Sequence, residues 1–175
     1  LLIKGMNNMT FKNKVIYQIY PKSYLDTTGN GIGDIQGIIS KLDYLSDLGI
    51  DMIWLNPIYP SPQRDNGYDI SDYTAIDPVF GTMTDFDRLI AAAKQRGIDV
   101  MLDMVLNHVS IEHEWFQKAL AGDTYYQDFF FIQYTPTDWV SKFGGNAWAP
   151  FGDTGKYYLH LFDVTQADLN WRNEH

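Results

Sequence analysis

Residues 99–108 begin as an apolar run and end in polar groups. Their Met, Leu and Val residues are too numerous for a strand with one face in water. The pattern therefore predicts a strand buried on both faces, as in a parallel sheet covered by helices. Its carboxyl end would carry Asp103, Asn107 and His108 to one rim, where barrels of alternating strands and helices hold their chemistry. A buried strand followed by a polar turn with a loop histidine is the alternative.

A second polar group lies in the long loop predicted between residues 58 and 83, at Asp65-Asn66-Gly67-Tyr68-Asp69. A carboxylate accepts hydrogen bonds from sugar hydroxyls, and a Tyr ring stacks on a sugar face. This segment is therefore a candidate sugar-binding loop. The Asn-Gly pair also predicts an ordinary turn, which is the alternative.

A third candidate is a Gly-rich loop with oxygen donors at alternate residues, which is the rhythm of a calcium loop. The donors are Asp26, Thr28, Asn30, the carbonyl of Ile32, and Asp34. Gly37 stands where an EF-hand needs its Glu, so an EF-hand is excluded. The alternative to a metal site is a turn with solvated polar side chains.

Composition limits the classes of partner. The chain of 175 residues has 13 Lys and Arg against 22 Asp and Glu, and this net charge of −9 disfavours nucleic acid and anionic membranes as partners. There are no cysteines, so disulfides and thiolate metal sites are excluded. The first ten residues lack the apolar core of a signal peptide, and no apolar run approaches membrane-spanning length. We therefore expect a cytoplasmic protein without a membrane partner.

The elements that must position these groups alternate between strand and helix. Strands are predicted at 15–20, 50–55 and from 99, and helices at 35–48 and 84–96. This order predicts a parallel sheet, and a barrel is favoured because no dinucleotide glycine fingerprint follows any strand. After His108, a helix at 112–121 and a strand at 156–162 among short aromatic segments predict a small irregular α+β domain inserted after the third strand.

Several ordered motifs resemble the α-amylase superfamily, glycoside hydrolase family 13, from about Lys14 to the end. They are Val15-Ile16-Tyr17-Gln18-Ile19-Tyr20-Pro21, Gly33-Asp34, Trp54-Leu55-Asn56-Pro57, Asn66-Gly67-Tyr68-Asp69, Phe80-Gly81-Thr82 and Asp103-Met104-Val105-Leu106-Asn107-His108. A further motif, 166–170, resembles the marker that closes the inserted domain in the oligo-1,6-glucosidase subfamily. This resemblance implies the N-terminal part of a (β/α)8 TIM barrel, with its first three strands and the inserted domain.

The resemblance also implies domain boundaries. Residues 1–12 would be an N-terminal extension, and residues 13–108 the first part of the barrel. Residues 109–171 would be the inserted domain B, and residues 172–175 the start of the return to the barrel. A full barrel needs about 250 residues, so we expect the chain to be an N-terminal fragment.

The family's functional residues correspond to matching positions in these motifs, and the resemblance implies a role for each. Asp65, Tyr68 and His108 would line the subsite for the non-reducing glucose, and Asp103 would support it. Asp26, Thr28, Asn30, Ile32 and Asp34 would form a structural calcium site, although Thr28 and Asn30 stand where the subfamily more often has Asn and Asp. The retaining mechanism implied uses an Asp after the fourth strand and a Glu after the fifth. Both lie beyond this chain, so no catalytic residue is assigned here and the chain alone is expected to be inactive.

Within the subfamily, the finer resemblance is to trehalose-6-phosphate hydrolases, through residues 26–31, 141–145 and 160–168. It implies an α-glucoside substrate, namely a phosphorylated disaccharide cleaved to glucose and glucose 6-phosphate. An oligo-1,6-glucosidase or other α-glucosidase is the alternative within the family. A non-catalytic, amylase-like transporter subunit is the alternative from another class.

Overall fold

The computed structural model describes residues 11–174. The N-terminal extension predicted at residues 1–12 lies outside the described residues except for its last two. Contacts divide the described residues into two compact units, one of residues 11–56 and 79–103 and the other of residues 57–78 and 104–174. The domain boundaries implied by the family resemblance stay predictions, and the two units are described separately below.

The first unit contains a parallel three-stranded sheet in the order β1-β2-β3. Its strands are β1 (Ile16–Ile19), β2 (Met52–Leu55) and β3 (Asp99–Leu102). In register, Ile16 pairs with Met52, and Met52 pairs with Asp99. The three predicted strands and their parallel arrangement are therefore confirmed.

Four helices lie in this unit: α1 (Pro21–Tyr24), α2 (Ile35–Ser40), α3 (Leu42–Asp47) and α4 (Met83–Gln95). The single helix predicted at 35–48 is wrong, because Lys41 leaves helical geometry at φ −104° and ψ 2° and separates α2 from α3. The helix predicted from residue 84 is confirmed, and it begins one residue earlier. Thr82 caps α4 by accepting the Asp85 N–H, while the Asp85 carboxylate accepts the Thr82 N–H.

The prediction that the third strand is buried on both faces is wrong in this structure. All four residues of β3 are half-buried. The reason is that β3 is an edge strand, since among residues 11–174 it pairs only with β2. An edge strand leaves one side open to solvent, unlike a strand enclosed in a continuous sheet.

The second unit is built from short strands and aromatic packing. The pair of β4 (His108–Ser110) and β8 (Gln166–Asp168) is antiparallel, as is a second sheet in the order β5-β7-β6. Its strands are β5 (Ile132–Gln133), β6 (Trp148–Pro150) and β7 (Tyr157–Leu159), and the helices are α5 (Glu114–Leu120) and α6 (Thr124–Gln127). The helix and strand predicted at 112–121 and 156–162 are thus confirmed.

The core of this unit is centred on Phe116. Its ring meets the rings of Phe130, Phe151 and Tyr158 edge to face, with centroids 5.0–5.5 Å apart. Such pairs add to the free energy gained by burying the rings. This core lies beneath β4 and β8, because Val109 and Ala167 pack into it.

Candidate functional site

His108 is the first residue of β4 and is 3% exposed. The Tyr73 hydroxyl lies 2.8 Å from the carbonyls of both Val105 and His108, and so ties down the backbone that carries the histidine. Burial raises the pKa of Tyr73 further above its ordinary range, so this hydroxyl remains a donor. The histidine therefore projects from a fixed backbone.

The loop that carries Asp65 and Tyr68 is folded around a tight turn. Asn66 and Gly67 both have positive φ, at 51° and 98°, and the Tyr68 N–H donates to the Asp65 carbonyl at 3.0 Å. Positive φ at both central residues is typical of a type I′ turn, for which Asn-Gly is the preferred pair. The turn predicted from these two residues is confirmed.

Asp69 holds this loop together from inside. It is fully buried, and its Oδ1 accepts the Ser61 hydroxyl at 2.8 Å and the Asp65 N–H at 3.1 Å. Its Oδ2 accepts the Arg64 N–H at 3.0 Å. The Asp69 carboxylate thus organises the loop that presents Asp65, and it is not itself presented to solvent.

Asp65, Tyr68 and His108 lie together, as the sequence predicts. His108 Nε2 is 3.0 Å from the Tyr68 carbonyl, and the Phe162 ring lies against the His108 ring with centroids 5.2 Å apart. Gln166 completes the group, since its side-chain nitrogen donates to Asp65 Oδ2 at 2.8 Å and lies 3.0 Å from His108 Nε2. One loop and two strands, β4 and β8, therefore meet at one cluster of polar groups.

Burial sets the charge of His108. It lowers the pKa of His108, against the opposing effects of the Tyr68 carbonyl and the Asp65 and Asp69 carboxylates. The ring is therefore neutral at pH 7. Its Nδ1 contacts the Asn107 side-chain nitrogen. Both ring nitrogens therefore lie next to polar groups.

Asp103 belongs to the first unit, where its Oδ1 accepts the Trp54 indole N–H at 3.0 Å. This bond joins the carboxyl ends of β3 and β2, because Trp54 lies in β2 and Asp103 follows β3. The supporting role that the family resemblance gives to Asp103 stays a prediction.

The predicted calcium loop is folded around its own carboxylates. Asp26 Oδ1 accepts the N–H groups of Thr28 and Gly29, and Oδ2 accepts that of Gly31, at 2.7–2.8 Å. These bonds, that to Gly31 first, lower the pKa of Asp26 to about 2, so the group is a carboxylate at neutral pH.

At the other end of the loop, Asp34 accepts the Thr27 N–H and caps α2 through Gly37 N–H. Residues 11–174 contain no cluster of three or more His, Cys, Asp or Glu suited to a metal. The predicted calcium loop has only two carboxylates, Asp26 and Asp34, so it does not reach the three such residues that define a cluster. Its members are all oxygen donors, which are the donors that Ca²⁺ prefers, and in donor type they fit such an ion.

Asp168 is a further buried carboxyl, 5% exposed, and it stands opposite His108 in the β4–β8 ladder. Its Oδ2 accepts the Leu161 N–H at 3.1 Å, while Oδ1 has no hydrogen-bond partner among the described residues. Burial raises the pKa of Asp168 to about 6, and the Leu161 bond opposes this only in part.

The raised pKa predicts a pH-dependent stability. The folded state keeps the Asp168 proton up to about pH 6, whereas the unfolded chain releases it near pH 4. The contribution of Asp168 to the free energy of unfolding is therefore fully present below pH 4 and is lost as the pH rises through 6. We expect Asp168→Asn to remove this dependence, with the variant gaining about 2 kcal/mol on the natural chain between pH 4 and 7. Urea unfolding of both proteins across that range measures it, and a constant difference between them would contradict it.

Sequence reasoning missed three residues that build this cluster, namely Gln166, Asp69 and Tyr73. In the sequence, Gln166 stands out only as part of a family motif, and Asp69 only as part of a turn. Asp is usually exposed, so nothing in the sequence marks Asp69 as buried. Tyr73 lies in a long loop without a pattern that would predict its two carbonyl contacts.

Comparison with known proteins places the chain among carbohydrate-active enzymes. Residues 18–175 match the alpha amylase catalytic domain family. The chain is 57% identical over 171 residues to trehalose-6-phosphate hydrolase from Bacillus subtilis, covering 94% of this chain and 30% of that protein. It is 52% identical over 171 residues to oligo-1,6-glucosidase from Heyndrickxia coagulans, covering 94% of this chain and 31% of that protein.

Solved structures that resemble this chain belong to the same kind of enzyme. The crystal structure of trehalose-6-phosphate hydrolase from Bacillus licheniformis is similar with a TM-score of 0.90 and 57% identity, covering 94% of this chain and 31% of that one. The chain thus spans about 30% of the length of the relatives it matches. No helix within residues 11–174 has the length and apolarity to cross a bilayer. The predicted fold class, an N-terminal part of a (β/α)8 barrel with an inserted domain, is confirmed, and the chain belongs to the alpha-amylase family of glycoside hydrolases.

Proposed function

We propose that this chain forms the glucose-binding part of a retaining α-glucoside hydrolase that acts on trehalose 6-phosphate and yields glucose and glucose 6-phosphate. The observation that carries the proposal is the cluster of Asp65, Tyr68 and His108 in a member of this family. The choice of substrate is supported by the higher identity to trehalose-6-phosphate hydrolase, 57%, than to oligo-1,6-glucosidase, 52%.

The chemistry of the three side chains suits a sugar ring. The Asp65 carboxylate accepts hydrogen bonds from hydroxyls, neutral His108 offers a ring nitrogen without adding charge, and the half-exposed Tyr68 ring offers an apolar face. These groups bind and orient the glucosyl unit. The nucleophile and the acid/base of the retaining mechanism are assigned to other parts of a full-length enzyme.

A chimera tests the proposal. Residues of this chain replace the matching 30% of the Bacillus subtilis trehalose-6-phosphate hydrolase, and the product is assayed on trehalose 6-phosphate and on isomaltose. We expect cleavage of trehalose 6-phosphate with the higher kcat/KM. Preference for isomaltose would favour an oligo-1,6-glucosidase, and a folded chimera inactive on both would favour the non-catalytic alternative.

The proposal includes a cytoplasmic location. A sugar phosphate carries charge, and charge crosses the apolar core of a bilayer only at high cost. An enzyme that consumes such a substrate is expected in the compartment where the substrate is held. Fractionation of cells that express the natural gene, with the chain detected by antibody, tests the location.

We also propose that Asp26, Thr28, Asn30, the Ile32 carbonyl and Asp34 hold a structural calcium ion. The donor types and their alternate spacing support it. When bound, the ion supplies charge that holds the loop, and takes no part in the chemistry.

Calcium titration tests this site. We expect 1 mM Ca²⁺ to raise the melting temperature of the chimera by a few degrees through mass action, whereas Mg²⁺ leaves it unchanged. Asp26→Asn should abolish the shift. Asp72→Asn is the matched control, because Asp72 accepts the N–H and hydroxyl of Thr74 in a similar turn. Equal shifts in both variants, or no heat on titration of Ca²⁺ into the chimera, would refute the site.

A further inference from the structure

The substrate of the proposed function carries about two negative charges at neutral pH through its phosphate group. The chain has a net charge of −9, and the cluster that would hold the glucosyl unit adds the carboxylate of Asp65. The cluster itself supplies no cation, because His108 is neutral. Like charges repel, so binding of the phosphate requires a cation in a neighbouring segment.

The second unit contains five Lys and Arg residues that could supply this charge. Three of them already have a described partner: Arg64 pairs with Glu112, Lys118 pairs with Glu114, and Lys156 lies over the Tyr134 ring. The other two, Lys142 and Arg172, are exposed and form no ion pair within residues 11–174. These two are therefore the candidates for binding an anion.

Lys142 lies in a turn, residues 141–145, that is fastened to the segment after β7. The Lys142 N–H donates to the Leu161 carbonyl at 2.7 Å, and the hydroxyl of buried Ser141 donates to the Phe162 carbonyl at 2.6 Å. The backbone of the turn is thus fixed, while the Lys142 side chain stays exposed. Its four-carbon stem is flexible, so the ammonium group can adjust to an anion beside the turn.

Two ring contacts connect this turn to the glucose cluster. The Phe143 ring meets the Phe162 ring edge to face with centroids 6.1 Å apart. The Phe162 ring in turn lies 5.2 Å from the His108 ring. A pyranose ring is about as wide as a benzene ring, so a second sugar next to the glucosyl unit brings its phosphate to the level of the turn. No such ring contact joins Arg172 to His108 within residues 11–174.

We propose that Lys142 is a specificity-determining residue, whose ammonium group binds the phosphate on the second sugar of the substrate. This inference rests on the proposed function, because it assumes that the cluster of Asp65, Tyr68 and His108 holds the first sugar. An ammonium group binds phosphate as a point charge with three N–H donors. Lys142 takes no part in breaking the glycosidic bond.

The test compares kcat/KM of the chimera for trehalose 6-phosphate and for 4-nitrophenyl α-glucoside, which has no phosphate. In Lys142→Gln we expect the value for trehalose 6-phosphate to fall about 30-fold, the scale of one lost charge-assisted hydrogen bond. Most of the loss should lie in KM, because a phosphate remote from the reacting bond is bound equally in the ground and transition states. The value for 4-nitrophenyl α-glucoside should not change, and Lys142→Arg should recover most of the loss.

Two further variants serve as comparisons. Lys41→Gln removes an exposed lysine of the first unit and controls for the loss of one positive charge, so it should leave both substrates unaffected. Arg172→Gln tests the competing cation. If Lys142→Gln keeps its preference for the phosphorylated substrate, or loses kcat/KM equally on both substrates, the proposal is overturned, whatever Arg172→Gln does.

A second readout needs no hydrolysis. Glucose 6-phosphate and glucose are titrated into the chimera and into Lys142→Gln by calorimetry. We expect the chimera to bind glucose 6-phosphate more tightly than glucose, with a preference that weakens as salt is added and is lost in Lys142→Gln. An equal preference in both proteins, or none in the chimera, would overturn the proposal. A chimera that prefers isomaltose over trehalose 6-phosphate would refute the proposed function alone, and the titration would still decide the role of Lys142.

Discussion

His108→Ala in the chimera is expected to lower kcat/KM for trehalose 6-phosphate by about 100- to 1000-fold, with most of the loss in kcat. The reason is that the loss of one oriented hydrogen-bonding group in a dry site costs about 3–4 kcal/mol of transition-state stabilisation. His108 is buried, neutral and held by the Tyr73 hydroxyl through its own carbonyl, so no other side chain takes its place. Asp65→Ala is expected to cause a loss of the same order.

The two substitutions are expected to be non-additive. Because Gln166 contacts both Asp65 and His108, removing either one disturbs the other, and the double variant should lose less than the product of the single losses. Glu112→Ala is the control, since Glu112 forms an exposed ion pair with Arg64 and should change kcat/KM by less than about 2-fold. Unchanged kcat/KM in both single variants would remove the glucose subsite from this cluster.

Asp69→Ala is expected to destabilise the chain by about 4 kcal/mol. The carboxylate is fully buried and accepts from Ser61, Arg64 and Asp65, and hydrogen bonds to a charged group contribute about 1.5–3 kcal/mol each. Its removal leaves a small cavity and three donors that cannot all reach water. Urea unfolding, followed by far-UV circular dichroism, measures the loss.

Asp72→Ala separates this effect from the general cost of losing an acidic residue in the loop. Asp72 is half-buried, and the only donor to its carboxylate in residues 11–174 is Thr74, so a change within about 1 kcal/mol is expected. If Asp69→Ala unfolds at the same urea concentration as Asp72→Ala, the buried carboxylate does not organise the loop.

The strands of the first unit could be predicted because their signal is local. The apolar and β-branched residues of β1 and β2 form runs of about four to six residues, which favour a strand over a helix. The separation of α2 from α3 could not be predicted, since Ser40 and Lys41 are ordinary residues within a helical apolar stripe. The exposure of β3 is likewise a property of its edge position and cannot be read from its sequence.

The family resemblance predicts the grouping of Asp65, Tyr68 and His108, whereas the residues of the 65–69 segment taken alone favour a plain turn. The roles of Gln166 and Asp69 required coordinates. A buried amide is recognised by the groups around it, and those groups lie in distant segments. The motif around Gln166 marked its position correctly but carried no information about which way its amide points.

The bond between Gln166 and Asp65 joins positions 101 residues apart. Local structure forms within microseconds, whereas a ribosome adds about 5–20 residues each second. The Asn66-Gly67 turn therefore emerges about 5–20 seconds before the strand that completes its cluster. During that interval the Asp65 carboxylate is hydrated in place of its amide partner, so the cluster is completed only after β8 has left the ribosome.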